Sequence, residues 1–232
     1  MSMKNDIIGI ICAMNKEASG IIENMTDVTR EEISGVTFNR GKINGKDCVV
    51  AVCGIGKVFA ALCAQTMILT YSPSLIINSG VAGGLHPALK VCDVTVATSL
   101  VQHDMDTSAI GDPKGLISGI NIINIPTDAD ATARLTTAAE SCGINVINGV
   151  IATGDKFVAS SEDKKNITET FSAIACEMEG GAIAQVCYVN KTPVCVMRAI
   201  SDGGDDNATL DYPTFAKLAS EQSVNVIMKF FE

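Results

Sequence analysis

Short apolar runs alternate along the chain with longer segments whose apolar residues recur at helical spacing. The runs predict strands and the periodic segments predict helices. We expect strands at 6–12, 36–42, 46–52, 75–78, 91–101, 146–153, 171–175 and 194–200. We expect helices at 58–71, 128–142 and 213–231, and two more that begin near Lys16 and Ala182. This alternation predicts one α/β domain over residues 1–232, with a central mixed, mostly parallel β-sheet flanked by helices.

The composition agrees with a buried aliphatic sheet and excludes two classes of partner. Hydrophobic residues make up 47% of the chain, aromatic residues only 4%, and tryptophan is missing, which suits a sheet covered on both faces. The net charge of -9 argues against a nucleic-acid partner, which would require a basic surface. No apolar run reaches the length of a membrane span, so we expect no membrane partner.

The cysteines and histidines limit the possible chemistry. Nine cysteines occur without a C-x-x-C pair, and His86 and His103 are the two histidines. We therefore expect reduced cysteines, a cytoplasmic location, and neither a metal site nor a histidine-based catalytic triad. The G-x-G formed by Gly54 and Gly56 lacks the third glycine of a dinucleotide fingerprint, so we expect no cofactor.

Acidic residues follow several of the predicted strands. Glu17 lies in the first helical turn after the first strand, and Asp202 follows the last strand. Glu177 and Glu179 follow the predicted strand at 171–175. The carboxyl ends of strands form the edge where open α/β sheets bind ligands. Any one of these acids alone could be an ordinary helix cap or loop charge, but their repetition favours a site.

Two further segments point to function. The glycine-rich segment 79–84 is expected to be a turn in which backbone N–H groups approach a ligand. It contains no lysine or arginine, so an uncharged group or water fits it better than phosphate. Segment 102–119 is long, polar and without periodicity, and such a stretch is usually functional or part of an interface.

Carboxylates are the acid–base groups that this chain offers. Hydrolysis with a cationic transition state at a sugar carbon suits them: one deprotonates water, a second binds sugar hydroxyls, and a third protonates the leaving group. An acid that stays protonated near pH 7 needs a raised pKa, from burial or from a hydrogen bond to its neutral form. Arg198 is expected to pair with Glu177 or Glu179. From the residues alone, the chain is a carboxylate-based hydrolase or lyase.

Five motifs, in order, resemble the nucleoside phosphorylase/nucleosidase family. They are I-G-I-I-C-A-M-N-K-E, C-G-I-G-K-V, N-S-G-V-A-G-G-L, A-C-E-M-E-G and R-A-I-S-D. The match is closest to the 5′-methylthioadenosine/S-adenosylhomocysteine nucleosidase branch. The resemblance implies hydrolysis of the N-glycosidic bond of these two adenine nucleosides, which gives adenine and the thioribose.

The resemblance also implies a role for each site residue. Glu17 would activate water, and Asp202 would protonate adenine N7. Glu179 would hold the ribose 2′- and 3′-hydroxyls. Phe157 would stack on adenine, and the backbone of Val158 would read the edge of the base. The other substrate-binding residues are Gly83 near the catalytic water, Ser201 beside the acid, Met178 against the ribose, and Met14, Ile55 and Tyr212 in the 5′-alkylthio pocket.

The resemblance implies a homodimer in which segment 102–119 reaches the neighbouring site. Val81 stands where some members carry a polar serine, so the contact of that serine with ribose or water would be lost or replaced. Ile110 and Asp112 stand where some members have aromatics, and Ile110 suggests a more open alkylthio pocket. Three alternatives stay open: a purine nucleoside phosphorylase, a futalosine-type nucleosidase and a non-catalytic nucleoside-binding protein.

Overall fold

The computed structural model describes residues 6–232. Its strands are β1 Ile8–Cys12, β2 Thr26–Ile33, β3 Val36–Ile43, β4 Lys46–Val52, β5 Leu75–Gly84, β6 Val94–Gln102, β7 Ile125–Pro126, β8 Val146–Thr153, β9 Ala173–Glu177 and β10 Val194–Asp202. Its α-helices are α1 Asn15–Glu23, α2 Lys57–Tyr71, α3 Ala129–Ser141, α4 Ser161–Phe171, α5 Gly180–Asn190 and α6 Ala208–Phe230, and a 3-10 turn lies at Ser108–Ile110.

Strand β5 is the centre of the sheet because it pairs with three other strands. On one side it pairs in parallel with β10. On the other side its first half pairs in parallel with β1, and its last two residues pair antiparallel with β9. From β9 the order continues through β8 and β6 back to β10, which closes a ring. From β1 it continues through β4 and β3 to the edge strand β2. The expected α/β fold with a mixed sheet is confirmed.

A gap opens where β5 passes from one neighbour to the next. Residues Leu75–Asn78 pair with β1, whereas Gly83 and Gly84 pair with β9. The structure pairs residues 79–82 with neither strand on that side. Ligands of α/β sheets bind in crevices at the carboxyl ends of strands that diverge in this way. The gap therefore predicts where a site would form.

Helices cover both faces of the sheet, since successive side chains of a strand point to opposite faces. Ile10 of β1 belongs to an apolar cluster that includes residues of helices α1, α3 and α6, and Ile11 belongs to the cluster on the other face, with residues of α2 and α5. Helix α4 covers a smaller apolar cluster beside β8 and β9. Within residues 6–232, no helix combines the length and the apolar character needed to cross a membrane.

Local signals at two predicted elements are confirmed in detail. The predicted β3–β4 hairpin turns at Asn44 and Gly45, whose φ angles are 47° and 77°. Type I′ hairpin turns require positive φ at both central residues, which Asn-Gly tolerates. Helix α3 begins after Asp128, whose carboxylate accepts the Ala131 N–H at 2.8 Å and so caps the helix.

The prediction of a turn at 79–84 is wrong, because these residues form the second half of β5. Their glycines serve close packing in an extended strand instead. A Cβ atom on Gly80 would lie 2.8 Å from Glu17 Oε1, and one on Gly83 would lie 2.9 Å from Asp202 Oδ1. The missing side chains let two carboxylates approach the strand.

The apolar pattern does not predict β2 or α4, and it misplaces the start of α6. The side chains of β2 are exposed along nearly its whole length, so the strand has no buried face to mark it. Helix α4 buries a single side chain, Ile167, which leaves its periodicity weak. Helix α6 begins at Ala208, with Pro213 inside it rather than at its start. Proline lacks an N–H group and is favoured in the first turn of a helix, which makes the later start the natural prediction.

Candidate active site

A cavity of about 260 Å³ lies at the gap between β1 and β9. Strand β5 contributes one wall, the ends of β1, β9 and β10 contribute others, and the start of α6 closes one side. The cavity is lined by Ala13, Met14, Glu17, Ile55, Val81, Ala82, Gly83, Phe157, Cys176, Glu177, Met178, Glu179, Ser201, Asp202 and Tyr212. A mostly apolar wall with a few convergent polar groups is typical of a small-molecule site.

Glu17 is buried in the first turn of α1, with 2% of its surface exposed. Its Oε2 accepts the N–H groups of Ala13 and Met14 at 3.0 and 2.8 Å, and its Oε1 accepts that of Val81 at 3.2 Å. Burial raises the pKa of Glu17, and the charge of Arg198 and these N–H groups oppose the rise. The carboxylate therefore stabilises the start of the helix and also faces the cavity, as both interpretations of the sequence require.

Glu177 and Arg198 form an ion pair beneath the cavity, with 1% and 2% of their side chains exposed. The nitrogen that meets Glu177, Nη2, also donates to Asn78 Oδ1 at 2.6 Å and so holds Arg198 in place. This pairing was expected from the sequence and is confirmed. A buried guanidinium requires such partners, since an unpaired charge in the interior is strongly destabilising.

The Glu177 carboxylate has further donors. Its Oε1 accepts the Thr153 hydroxyl, and its Oε2 accepts the N–H groups of Glu179 and Gly180 at 3.0 and 2.6 Å. The last two groups open helix α5, so Glu177 stabilises that helix start as a cap would. Burial raises the pKa of Glu177, but the Arg198 charge and the hydrogen bonds outweigh it and lower the pKa. Glu177 is thus the ionised member of the local acid pair.

Glu179 is the other member, and it faces the cavity. Its Oε1 accepts the Gly56 N–H at 2.9 Å, while its Oε2 lies 3.8 Å from Arg198 Nη2. Because Arg198 is closer to Glu177, its charge neutralises Glu179 only in part. Burial, followed by the negative charge of Glu177, raises the pKa of Glu179 to about 7. This carboxyl can therefore change its protonation state near neutral pH.

Asp202 ends β10 and has 2% of its surface exposed. Its Oδ2 accepts the Ser201 hydroxyl at 2.8 Å, and its Oδ1 accepts the Gly204 N–H at 2.9 Å. Burial raises the pKa of Asp202, the two hydrogen bonds oppose the rise, and the charges of Asp211 and Asp205 add to it. A buried carboxyl with a raised pKa can hold a proton for transfer to a ligand.

The mouth of the cavity is aromatic and partly exposed. Phe157, with 43% of its surface exposed, meets the Tyr212 ring edge to face at a centroid distance of 5.5 Å. The Tyr212 hydroxyl donates to Met14 Sδ at 3.4 Å and accepts from Lys16 Nζ at 3.1 Å. Ile55 lines the same side and is also exposed. The mouth thus offers apolar surface with one polar cluster at its rim.

The structure brings nearly all the predicted site residues to this single cavity. Those that line it are Glu17, Asp202, Gly83, Phe157, Met178, Glu179, Ser201, Met14, Ile55 and Tyr212. Val158 does not line it, because its side chain is buried in the cluster beneath α4. The role expected of Val158 involves its backbone and stays a prediction, as do the roles expected of the other residues.

Sequence reasoning missed the groups that support the site. Asn78 and Thr153 hold Arg198 and Glu177 in place, and Lys16 stands at the rim. A usable signal was present for the first two, since each is a polar residue at the end of an otherwise apolar run. Lys16 carries no such signal, because exposed lysines are common in first helical turns of any protein.

Four carboxylates line the cavity, those of Glu17, Glu177, Glu179 and Asp202, together with the Cys176 thiol and the Tyr212 phenol. Over residues 6–232, no three His, Cys, Asp or Glu side chains are placed to hold a metal ion. The nine cysteines, all in this part of the chain, are free. The site is therefore equipped for proton transfer by acidic side chains and for stacking of a planar ring at Phe157.

Known proteins share this architecture. The chain matches the Phosphorylase superfamily over residues 7–232. It is 36% identical to the aminodeoxyfutalosine nucleosidase of Campylobacter jejuni, over 97% of this chain and 98% of that protein. It is 37% identical to the 5′-methylthioadenosine/S-adenosylhomocysteine nucleosidase of Haemophilus influenzae, with the same coverage. The nucleosidase of that name from Neisseria meningitidis, solved in complex with methylthio-immucillin-A, superposes with a TM-score of 0.94 at 33% identity, over 97% of this chain and 98% of that one. With most of its length matched in sequence and in structure, this chain belongs to the Phosphorylase superfamily.

Proposed function

We propose that this chain hydrolyses the N-glycosidic bond of 5′-methylthioadenosine and S-adenosylhomocysteine, releasing adenine and the thioribose. The observation that carries the proposal is the convergence of three buried carboxylates, Glu17, Glu179 and Asp202, on one cavity. Burial raises the pKa of each, which makes Glu17 a stronger base and helps Asp202 to hold a proton. The nucleosidase names of the relatives and of the Neisseria structure support the substrate class.

In the proposed reaction, Glu17 accepts a proton from a water molecule. The water oxygen bonds to ribose C1′ as the bond between C1′ and adenine N9 breaks. The electron pair of that bond moves into the purine, and Asp202 donates its proton to N7. The products are neutral adenine and a ribose with a new hydroxyl at C1′. A neutral leaving group lowers the barrier because the base would otherwise depart as an anion.

The other residues orient the substrate in this scheme. Glu179 accepts hydrogen bonds from the two ribose hydroxyls, and it must be ionised to accept both. Phe157 stacks on the base, and Met178 packs against the sugar. Ser201, which donates to Asp202 at 2.8 Å, fixes the direction of the acid.

Adenine release from 5′-methylthioadenosine in phosphate-free buffer tests the proposal. We expect wild-type turnover, and a kcat about 10²–10⁴-fold lower in Asp202→Asn and in Glu17→Gln, the usual contribution of a positioned acid or base. Glu140→Gln, an exposed acid on α3, is the control and should leave kcat unchanged. Full activity in Asp202→Asn would refute the assignment of the acid. Tight nucleoside binding without adenine release would indicate a binding protein instead.

A purine nucleoside phosphorylase would require a cation for phosphate. Segment Asn78–Gly84 contains none, and Arg198 is buried against Glu177. We therefore expect turnover without phosphate. Turnover that depends on added phosphate would favour the phosphorylase.

A futalosine-type nucleosidase is the second candidate, and the Campylobacter relative favours it. The chemistry at the ribose would be the same, and the 5′ substituent would differ. A comparison of kcat/KM for aminodeoxyfutalosine and 5′-methylthioadenosine decides between the two, since the better substrate should have the higher value.

We also propose that the chain forms a homodimer. Helices α2 and α5 carry exposed apolar side chains, among them Val58, Leu69 and Val189, and Ile110 in segment 102–119 is 82% exposed. Helices α2 and α5 are neighbours, and exposed apolar side chains on adjacent helices are typical of an interface. Sedimentation equilibrium should give twice the 24.2 kDa chain mass, and Val58→Glu should shift the protein toward the monomer. A monomeric wild type would refute the proposal.

Two expectations about the whole chain are also retained as proposals. Residues 1–232 form one nucleosidase domain, supported by a single sheet to which the strands of the described residues belong. The protein is cytoplasmic, supported by the nine free cysteines, which persist as thiols in a reducing compartment. Fractionation of cells that produce the tagged protein tests the second proposal.

A further inference from the structure

The rim of the cavity carries a cation that the proposed chemistry does not use. Lys16 is exposed and directly precedes Glu17 in α1. Its Nζ donates to the Tyr212 hydroxyl at 3.1 Å and lies 4.6 Å from the centroid of the Tyr212 ring. These two contacts hold the ammonium group at the mouth rather than leaving it to extend into solvent.

Lys16 has no acidic partner among residues 6–232, whereas Lys57, Lys156 and Lys164 each pair with an aspartate. An ammonium group has three N–H donors. One of those of Lys16 is used by the Tyr212 hydroxyl. The other two are available to an acceptor at the mouth.

The position of Lys16 relative to the acids defines which part of a ligand could reach it. In the proposed function, the base lies against Asp202 and the ribose against Glu179. The 5′ substituent then passes Met14 and Tyr212, the two residues whose contact at 3.4 Å leads to the Lys16 ammonium. A methyl group would end within this apolar section, whereas a longer substituent would extend to the rim.

We propose that Lys16, held in place by the Tyr212 hydroxyl, binds a carboxylate at the far end of the 5′ substituent, so that the site prefers adenine nucleosides with an anionic 5′ extension. This inference rests on the proposed function, because it uses the orientation of the nucleoside given there. It names the substrate class more narrowly: a nucleoside whose 5′ chain is long enough to place a carboxylate at the rim.

The charges around the mouth support a local role for Lys16. The chain has a net charge of -9, and Asp205 and Asp211 lie close enough to Asp202 to affect its pKa. This environment repels an anionic substituent, and a cation at the rim offsets the repulsion where the substituent ends. Because Lys16 is exposed, its contribution is limited by solvent screening, to roughly a three- to tenfold preference.

Two kinds of 5′ extension present this carboxylate. One is the aliphatic amino acid of S-adenosylhomocysteine, and the other is an aryl carboxylate such as that of aminodeoxyfutalosine. Both offer the same two oxygen acceptors to an ammonium group. They differ in length and rigidity, so the experiment treats them as separate arms.

The test measures kcat/KM for pairs of substrates that differ only in the carboxylate. The aliphatic pair is S-adenosylhomocysteine and its decarboxylated analogue, and the aryl pair is aminodeoxyfutalosine and its carboxamide. In Lys16→Gln we expect the ratio within at least one pair to fall about three- to tenfold. Lys42→Gln, an equal charge change at an exposed residue of β3 that does not line the cavity, should leave both ratios unchanged. The preference should also weaken as salt is added.

A loss confined to the aliphatic pair identifies the amino-acid carboxylate, and one confined to the aryl pair identifies the aryl carboxylate; either result supports the proposal. Ratios that are the same in Lys16→Gln and wild type overturn it. If the wild type turns over none of the substrates, the proposed hydrolysis fails. The ratios of Kd within each pair, measured by calorimetry, then decide the role of Lys16 separately.

Discussion

The floor of the cavity holds its charges buried and paired, whereas the mouth holds an exposed cation, Lys16, for which residues 6–232 provide no acidic partner. On the floor, Arg198 and Glu177 have 2% and 1% of their side chains exposed and share a dense set of hydrogen bonds. At the mouth, Lys16 donates a hydrogen bond to the Tyr212 hydroxyl and lies over the Tyr212 ring. The same type of charge is therefore placed in two very different environments a short distance apart.

This difference in burial indicates which part of the site tolerates amino-acid substitution. A buried ion must keep its partners, because removing one leaves the other charge without solvent or counter-ion. An exposed ion contributes little to stability and can be exchanged at small cost. We infer that the floor determines the chemistry, while the mouth is the part in which substrate preference can vary between related proteins.

The largest expected effect is on the free energy of unfolding, when the guanidinium of Arg198 is removed from the floor. Arg198→Gln leaves Glu177 buried without its counter-charge, and we expect the free energy of unfolding to fall by about 3–5 kcal/mol. Urea denaturation measures the change. Lys42→Gln is the matched control, because it breaks an ion pair with Asp47 whose side chains are 39% and 54% exposed. We expect a much smaller loss there, and equal losses in the two variants would contradict the distinction.

A smaller effect is expected at the mouth, where Phe157→Ala removes the exposed ring. Stacking of a base on an aromatic side chain contributes about 1–3 kcal/mol, so KM for 5′-methylthioadenosine should rise roughly 5- to 160-fold. The unfolding free energy should change little, since 43% of Phe157 is exposed. Phe157→Tyr should restore KM and Phe157→Leu should not. An unchanged KM in Phe157→Ala would show that the ring does not contact the base.

The smallest expected effect is a shift in the pH dependence of kcat/KM, caused by the charge of Glu177 on the floor. Glu179 must be ionised to accept ribose hydroxyls, and its pKa is raised to about 7, so kcat/KM of the wild type should fall as the pH drops through about 7. Glu177→Gln removes the negative charge that repels ionised Glu179, and Glu179 becomes the one carboxylate within ion-pair distance of Arg198 in the described residues. The pKa of Glu179 should then fall, and the acid limb should move to lower pH by about one unit, or about 1.4 kcal/mol.

The midpoint of the acid limb, measured from kcat/KM between pH 5 and 9, separates this effect from a simple loss of activity, which changes only the amplitude. Glu140→Gln, at an exposed position of α3, should leave the midpoint in place. A midpoint that stays unchanged in Glu177→Gln would show that Glu177 does not control the protonation of Glu179.

Much of the site was predictable because it lies where apolar runs end. Glu17, Glu179 and Asp202 each follow a run that the hydrophobic pattern marks as a strand. The ends of neighbouring strands meet at one edge of a sheet, so local pattern alone places these acids near one another. The hydrophobic pattern does not predict strand β2 or helix α4, because neither element buries enough side chains to produce a periodic apolar pattern.

The turn predicted at 79–84 shows the opposite case. A cluster of glycines usually signals a turn because glycine adopts positive φ angles. Here the glycines Gly80 and Gly83 are extended, and their lack of a side chain makes room for Glu17 and Asp202. Only contacts between distant parts of the chain distinguish these two uses of glycine.

The sequence by itself determined the α/β class, the order of most strands and helices, and the set of acids at the strand ends, because all of these follow from local periodicity and composition. The tertiary structure decided which acid is ionised and which can hold a proton. Arg198 meets Asn78 across 120 residues of sequence and lies nearer to Glu177 than to Glu179. The pKa of a buried carboxyl depends on the distances to such partners and on burial from water, and neither quantity exists until the strands have paired.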